Sequence, residues 1–272
     1  MYRLIFFLGI ISCLLLTACQ EKAEGCMDPR AINFDPEADT PSETGCNYYQ
    51  LELEWQHYAQ NAPNDTLRFG NWITDNAGEA FYLDRCNWLG SEVRLTPVGS
   101  SIPASSPANV LLYKNNGSAE EVEDNFFLMF LDNFAADATG WGTLGDFNQL
   151  SFKIGVDPTL QIVNPSRTTI QDHPLSATAS PYLYDSTQSA FSTLELVVVQ
   201  PTNGNRRIEI RLADVFNFTF PYTIRAEDGQ NVPIRIRLDY DVLFTNISFS
   251  NDSIVAIENK LRQNIPLAFS VY

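Results

Sequence analysis

The chain has few of the residues that most enzymes need at their active sites. It contains only two histidines, His57 and His173, in 272 residues. It lacks a Gly-x-Ser-x-Gly elbow, a His-Glu-x-x-His pair, a Walker-type phosphate-binding loop and a Cys-x-x-Cys pair. A Ser-His-Asp triad would have to use one of these two histidines, and neither lies in a recognisable nucleophile context. We therefore predict that the protein is not an enzyme.

Positive charge is also scarce, with 17 Lys and Arg against 33 Asp and Glu, a formal net charge of −16. Such an excess of negative charge repels phosphate backbones, so we expect no nucleic-acid partner. Hydrophobic residues make up 44% of the chain and aromatic residues 12%. This is ample for a packed core, and it argues against wholesale disorder.

No apolar run reaches the ~20 residues of a membrane-spanning helix. The N-terminal run, residues 4–16, follows Arg3 and suits the hydrophobic region of a signal peptide. It is followed by Thr17-Ala18-Cys19, which resembles the end of a bacterial lipoprotein signal. In such signals the cysteine is acylated and becomes the mature N-terminus. The alternative is an ordinary secretory signal with an accidental cysteine.

The lipoprotein interpretation predicts the compartment and the first segments of the chain. Residues 1–18 are the signal peptide, and residues 19–24 are a tether to the lipid on Cys19. Their removal takes away Arg3 and no acidic residue, which leaves 16 basic and 33 acidic residues and a net charge of −17. Gln20 after the lipid site favours the outer membrane, on its periplasmic face or at the cell surface. The membrane would then be a partner through the lipid.

The remaining cysteines fall into two groups. Cys26 and Cys46 bracket a short acidic segment in an oxidising compartment, so we predict a disulfide between them. Closing a loop of this size stabilises a protein by ~3 kcal/mol in the chain-entropy model. Cys86 lies in the apolar stretch 81–89, which predicts a small buried side chain rather than a reactive thiol. Cys13 is removed with the signal peptide.

Residues 25–47 resemble the short GCxDPxAxNYxPxA modules, bounded by cysteines, of many Gram-negative surface proteins. Four side chains could offer oxygen ligands to a hard cation such as calcium: Asp28, Asn33, Asp35 and Asp39. The alternative is a disulfide-pinned spacer in which these side chains form turns beside the prolines. We favour the spacer because no complete calcium-loop pattern is present.

From residue 48 onward the sequence predicts a mostly-β domain. Apolar and polar residues alternate around residues 51–56, 207–212 and 234–241, as in antiparallel strands with one buried face. We predict an antiparallel β-sandwich or barrel-like domain over residues 48–272. It has one short C-terminal helix beginning after Ser253, and then a last strand or an extended arm. Two long polar segments, 96–125 and 157–190, are predicted loops with a functional role or mobility.

Trp55-Gln56-His57 is the most specific candidate site. Residues two apart on a strand share a face, so the indole and the imidazole would be neighbours. Imidazole is a good ligand for copper or zinc, although an isolated Trp-x-His is more often an ordinary strand beside a hydrogen-bonded histidine.

Several stretches together resemble one family, the MbnP-like domain, over about residues 50–272. They are Leu53–Tyr58, Phe81–Leu95, Leu150–Asp157, His173–Ser176 and Asn264–Val271. The resemblance implies a β fold and an extracytoplasmic role in copper acquisition. It also implies that Trp55 and His57 form the copper site. In characterised members the Trp of this Trp-x-His arrangement is oxidised to kynurenine. His173 is the candidate for a second histidine ligand.

Two functions follow from these observations. The first is a cell-envelope lipoprotein that binds copper through His57, Trp55 and His173. The second is a surface-exposed interaction module that keeps the fold without a metal. It would bind a partner protein, a glycan or a solute through segments 96–125 and 157–190. A hydrolase is the least favoured alternative.

Overall fold

The computed structural model describes residues 22–42, 45–60, 62–168, 170, 172–179, 181–201 and 204–272. The predicted signal peptide and Cys19 lie outside the described residues. The chain divides into two compact units between Tyr48 and Tyr49. Among the helices of the described residues, none has both the length and the apolar character to cross a membrane.

The first unit is a small disulfide-linked module. Strands β1 (Glu24–Gly25) and β2 (Thr40–Pro41) pair in parallel. The predicted disulfide between Cys26 and Cys46 is confirmed. The Asp35 amide donates to the Cys26 carbonyl at 2.8 Å, which folds the acidic segment back onto the buried cysteine. Such a short segment has little apolar surface to bury, so the covalent link is a main source of its order.

The second unit is built mainly of strands. Their bounds are β3 (Tyr49–Tyr58), β4 (Ile73–Thr74), β5 (Ala80–Pro97), β6 (Asn109–Tyr113), β7 (Ala119–Glu123), β8 (Phe126–Phe130), β9 (Ala135–Trp141), β10 (Gly145–Ile154), β11 (Tyr184–Asp185), β12 (Ala190–Phe191), β13 (Leu194–Gln200), β14 (Arg206–Leu212), β15 (Phe216–Ala226), β16 (Val232–Asp239) and β17 (Phe269–Val271). The helices are α1 (Pro158–Gln161), α2 (Tyr240–Leu243) and α3 (Ile254–Ala268). Single 3-10 turns occur at Pro63–Asp65 and Pro165–Arg167.

Two sheets form the sandwich, which confirms the mostly-β prediction. The larger has the order β14-β13-β5-β10-β15, and β4 and β8 also pair with β5. The smaller has the order β17-β16-β3-β9. The main core takes apolar side chains from both sheets, including Leu53 and Ile236 from the smaller and Leu83 and Phe152 from the larger. The period-two alternation thus gives each sheet a buried face.

One pairing differs from the antiparallel expectation. Strands β3 and β16 run parallel over their common length, from Leu51 opposite Val232 to Tyr58 opposite Asp239. Alternation shows which face of a strand is buried but does not give its direction. The strand β16 then ends where the Asp239 side chain accepts hydrogen bonds from the amides of Asp241 and Val242 and begins α2.

The two long segments are more ordered than predicted. Segment 96–125 contains the β6–β7 hairpin, and segment 157–190 contains α1 and the start of the β11–β12 pair. A second apolar cluster joins them, with Leu112 from the first segment, Leu175 and Leu183 from the second, and Phe126 from β8. Burial of these side chains holds both segments against the larger sheet.

The helix α3 is longer than predicted. Ser253 accepts a hydrogen bond from the Ala256 amide, which confirms the predicted N-cap. The helix then continues through Pro266 to Ala268, so the last strand contains only Phe269–Val271. The apolar stripe explains the extension, since Ile265 and Ala268 are buried in line with Ile257 and Leu261. This packing outweighs the loss of one amide donor at the proline.

Candidate functional site

Strand β3 places Trp55 and His57 on its buried face, as predicted. Trp55 is 4% exposed and His57 is 0% exposed. The Trp55 ring packs against Phe127, with ring centroids 5.3 Å apart. Its Nε1 atom has no hydrogen-bond partner among the described residues.

Both ring nitrogens of His57 are engaged in hydrogen bonds. Nε2 lies 3.3 Å from the carbonyl oxygen of Asn133, and Nδ1 lies 3.0 Å from the hydroxyl of Tyr240. Burial lowers the pKa of His57 from 6.5 to about 4, so the ring is neutral at pH 7. A carbonyl oxygen can only accept, so Nε2 carries the proton and Nδ1 accepts from Tyr240.

The Tyr240 hydroxyl continues this chain towards Cys86. Its proton is used at His57, so at 3.6 Å from Cys86 Sγ its oxygen is the acceptor of the thiol proton. Trp88 Nε1 in turn donates to Cys86 Sγ at 3.2 Å. Burial raises the pKa of Cys86 to about 12 and raises that of Tyr240, which keeps both groups protonated. The four side chains form a single directed chain of hydrogen bonds that ends at Asn133.

His173 lies in a different part of the core. Its ring packs on Phe126, with centroids 5.4 Å apart, whereas Trp55 packs on Phe127. Adjacent residues of β8 point to opposite faces, so this strand separates the two sites. Nδ1 of His173 accepts from the Leu175 amide at 3.0 Å, and Nε2 lies 3.2 Å from an Asp124 oxygen without good hydrogen-bond geometry.

These residues, as arranged, do not fit a copper ion. A histidine ligand must offer a free lone pair, and the Nδ1 lone pairs of His57 and His173 accept hydrogen bonds from the protein. The indole nitrogen of Trp55 is a donor only. Among the described residues, no group of three or more His, Cys, Asp or Glu could hold a metal ion. The copper site therefore stays a prediction of the family resemblance.

The four oxygen-bearing side chains of the small module take part in hydrogen bonds within it, Asp28 and Asp35 in turns and Asn33 and Asp39 over longer separations. Asp28 accepts from the Arg30 guanidinium, which together with the Arg30 amide and Tyr48 lowers its pKa. Asn33 bonds to the backbone of Gly45 and Asn47. Asp35 accepts from the Glu37 amide, and Asp39 lies 3.4 Å from the Ala23 amide. These hydrogen bonds support the spacer interpretation over the calcium site.

Among the described residues, a cleft of about 540 Å³ is a candidate binding site. Strand β5 contributes Glu92 and Arg94, segment 96–125 contributes Glu123 and Asn125, and segment 157–190 contributes Asp157 and Thr159. The cleft therefore combines both of the long segments predicted to carry binding. Its volume lies in the usual range of small-molecule sites.

Glu92 sits at an irregularity of β5. The register between β5 and β10 shifts between Ser151 and Lys153, and Glu92 has a φ of 54°. This left-handed conformation is unfavourable for a residue with a side chain, and it is held here by the bulge. The Glu92 amide donates to Asn125 Oδ1 at 3.2 Å, and its carboxylate pairs with Lys153.

Polar contacts link Glu92, Asn125, Glu123 and Arg94 into one network, and Asp157 and Thr159 form a separate pair. Glu123 Oε2 lies 2.7 Å from an Arg94 nitrogen and accepts from Asn125 Nδ2 at 3.2 Å. Asn125 is 3% exposed, so this amide is fixed between Glu92 and Glu123. Asp157 accepts from the amide and hydroxyl of Thr159, which lowers its pKa. The network orients donors and acceptors before any ligand arrives.

Sequence reasoning missed most of these residues. It identified the two long segments but did not single out Glu92, Arg94 or Asn125. The available signal was Glu92-Val93-Arg94, two opposite charges on one strand, and Asp84-Arg85 gives a similar signal on the same strand. Residues 140–145 also read Gly-x-Gly-x-x-Gly, but they connect β9 of the smaller sheet to β10 of the larger sheet, without the helix of a dinucleotide site.

The fold and the cleft define a two-sheet β protein with a preformed polar site. No protein-family model matches the chain, and no curated protein matches it. Among solved structures, MbnP from Methylosinus trichosporium is similar to it, with a TM-score of 0.40 and 12% sequence identity. The match covers 74% of this chain and 78% of that chain. Similarity at this level transfers no ligand and no site residue.

Proposed function

We propose that this protein is a lipid-anchored, extracytoplasmic binding protein that holds its ligand in the cleft and is not an enzyme. The observation that carries the proposal is the composition of the cleft. Both long segments, 96–125 and 157–190, supply residues to it, and β5 adds Glu92 and Arg94. A site built from two segments packed over a shared apolar cluster is positioned well enough to select a ligand.

The cellular location is part of the same proposal. A lipid on Cys19 would anchor the chain in the outer membrane, and residues 25–47 would act as a disulfide-linked spacer. The disulfide between Cys26 and Cys46 is consistent with an oxidising compartment. Labelled palmitate should be incorporated into the full chain expressed in a Gram-negative host, and Cys19→Ser should lose the label.

Copper binding at Trp55 and His57 is the alternative. Its support is the family resemblance, together with a buried indole nitrogen that has no partner among the described residues. The hydrogen bonds on both nitrogens of His57 oppose it. We expect the full chain, after incubation with Cu(II) or Cu(I) and dialysis, to retain well below one copper per chain. Stoichiometric retention that is lost in His57→Ala would establish the copper function instead.

The cleft proposal can be tested with a substitution that fills it. Thr159 is exposed at the cleft, and its amide donates to Asp157 Oδ1 at 3.0 Å. Thr187 is a matched control, because it is exposed and its amide donates to Asp185 Oδ1 at 2.8 Å in a similar turn. Thr159→Trp should block the cleft, and Thr187→Trp should leave it open.

The probes are neutral trisaccharides, a trigalacturonate, spermine and a neutral tripeptide, each added to the full chain in detergent. Ligand-observed NMR would measure their binding. We expect at least one class to bind the parent chain and Thr187→Trp, and to lose binding to Thr159→Trp. If no class shows binding that depends on Thr159, the cleft is not the ligand site.

A further inference from the structure

We infer that the cleft selects a neutral ligand rich in hydroxyl groups, such as a saccharide. This inference rests on the proposed function, since it names the class of ligand for the same cleft. The ion pairs, the hydrogen-bonding groups and the apolar surface of the cleft support it.

Three of the four carboxylates that line the cleft are each paired with a cation. Glu123 is paired with Arg94, Glu92 with Lys153, and Glu120 with Lys114 at 2.7 Å. Asp157 has its charge stabilised by Thr159. A highly charged ligand would have to displace one of these pairs and leave its partner without a counter-charge. The pairing therefore disfavours both polyanions and polycations.

The hydrogen-bonding groups of the cleft are mixed. Carboxylates only accept, the guanidinium of Arg94 only donates, and Asn125 and Thr159 do both. A hydroxyl group also donates and accepts, so neighbouring hydroxyls can bridge a carboxylate and a guanidinium that already lie side by side. The 2.7 Å contact between Arg94 and Glu123 provides such a pair.

The polar network is fixed before binding. Asn125 is buried and bonded to both Glu92 and Glu123, and the bulge holds Glu92 in its left-handed conformation. Because few of these groups lose further freedom when a ligand binds, the entropic cost of ordering the site is small. A small entropic cost matters for saccharides, because their hydroxyls exchange hydrogen bonds with water for hydrogen bonds with the protein.

Apolar groups complete the cleft. Val122 and Leu160 are partly buried residues of the second apolar cluster and line the cleft beside Phe126. Their aliphatic surface can contact the C–H faces of a sugar ring while the polar network binds its hydroxyls. An ion is bound by polar ligands and would make no favourable contact with this aliphatic surface.

The test uses Arg94→Gln in the full chain, with Arg225→Gln as the matched control. Arg225 also pairs with a carboxylate on a strand, at 3.3 Å from Asp146, but does not line the cleft. Isothermal titration with neutral trisaccharides of glucose, xylose and N-acetylglucosamine would measure affinity at low and high salt. We expect Arg94→Gln to weaken binding by about tenfold. Arg225→Gln should leave it unchanged.

Salt separates the ligand classes. Affinity for a neutral trisaccharide should be nearly independent of sodium chloride, whereas affinity for trigalacturonate or spermine would fall as salt rises. Binding of a charged probe that depends on Thr159, without binding of any neutral trisaccharide, would overturn the ligand class and leave the cleft function intact. Absence of Thr159-dependent binding by every probe would overturn both. Thermal unfolding of each variant confirms that its fold is intact.

Discussion

The hydroxyl of Tyr240 connects two buried polar groups, and removing it tests the directed chain of hydrogen bonds. Tyr240→Phe would leave Nδ1 of His57 without its partner, whereas Cys86 Sγ would keep its hydrogen bond from Trp88 Nε1. An unsatisfied buried polar group costs about 1–3 kcal/mol. We therefore expect the free energy of unfolding in urea to fall by about 1–3 kcal/mol, with little change in the secondary structure.

Tyr222→Phe is the control for this measurement. The Tyr222 hydroxyl bonds to the Pro233 carbonyl and the Arg235 amide at the surface, where water can replace it. Its loss should cost less than about 0.5 kcal/mol. If the two substitutions lower the free energy of unfolding equally, the buried hydrogen bonds of Tyr240 contribute no more to stability than the surface hydrogen bonds of Tyr222.

His57 predicts a pH dependence of stability. Its folded-state pKa is about 4, below the unfolded value near 6.5. The unfolded chain therefore binds the proton more readily, and the contribution of the neutral ring is complete above pH 6.5 and is lost as the pH falls towards 4. The shift corresponds to roughly 3 kcal/mol. Between pH 7 and pH 4.5, the free energy of unfolding in urea should fall more steeply for the parent chain than for His57→Gln. If it falls equally in both, the lowered pKa of His57 is wrong.

At this scale the sequence predicted the position of a side chain better than its partners. The spacing of Trp55 and His57 predicted a shared face, and it is the buried face of β3. The partner Tyr240 is 183 residues away in sequence, and Asn133 is 76 residues away. Such contacts depend on how the strands assemble, which local spacing does not encode.

At the level of elements, β5 and β8 are joined by a cross-strand pair of a glycine and an aromatic residue. Gly90 lies opposite Phe127, and a Cβ atom at Gly90 would overlap the phenyl ring. Gly90→Ala should lower the free energy of unfolding by about 1–3 kcal/mol through overpacking. In urea unfolding, the double variant Gly90→Ala, Phe127→Leu should lose less free energy of unfolding than the two single variants lose together. If the two losses add exactly, Gly90 and Phe127 do not pack in this way.

The predicted elements failed where packing acts against local signals. Residues 264–271 were predicted as a last strand or an extended arm, but the buried stripe continues the helix to Ala268 and only Phe269–Val271 form the strand. The composition of segments 96–125 and 157–190 indicated loops, since their few apolar residues show no period. Those residues are buried together with Phe126 and Leu128 of β8, a contact that a single segment does not reveal.

At the level of the whole molecule, the small module offers a test of its disulfide. The link spans 20 residues, and its loss should lower local stability by about 3 kcal/mol. In the double variant Cys26→Ala, Cys46→Ala, amide exchange at Ile32 and Asp35 should accelerate, since Asp35 donates to the carbonyl of Cys26 and Ile32 to that of Asn47, next to Cys46. Exchange at β13 serves as the internal reference. Unchanged protection of the Asp35 amide from exchange would show that the turns keep the module folded without the disulfide.

The mostly-β class of the molecule followed from alternation and turn residues, and the sheet order did not. Strand β13 reads as a continuous apolar run because it lies between β5 and β14 and is buried along its full length. Strand β8 has the same kind of sequence for a different reason, since its two faces meet two separate apolar clusters. Composition alone does not distinguish these environments.

The parallel pairing of β3 with β16 has a consequence for how the chain matures. The strand near the start of the domain gains this neighbour only after about 180 further residues have been made. Strand β9 can pair with β3 earlier, but an isolated pair of strands is only marginally stable, so the apolar face of the smaller sheet stays open to helper proteins and to self-association until β16 is made. A ribosome-stalled chain ending at residue 231 should remain protease-sensitive throughout β3, and a chain released after residue 272 should become resistant.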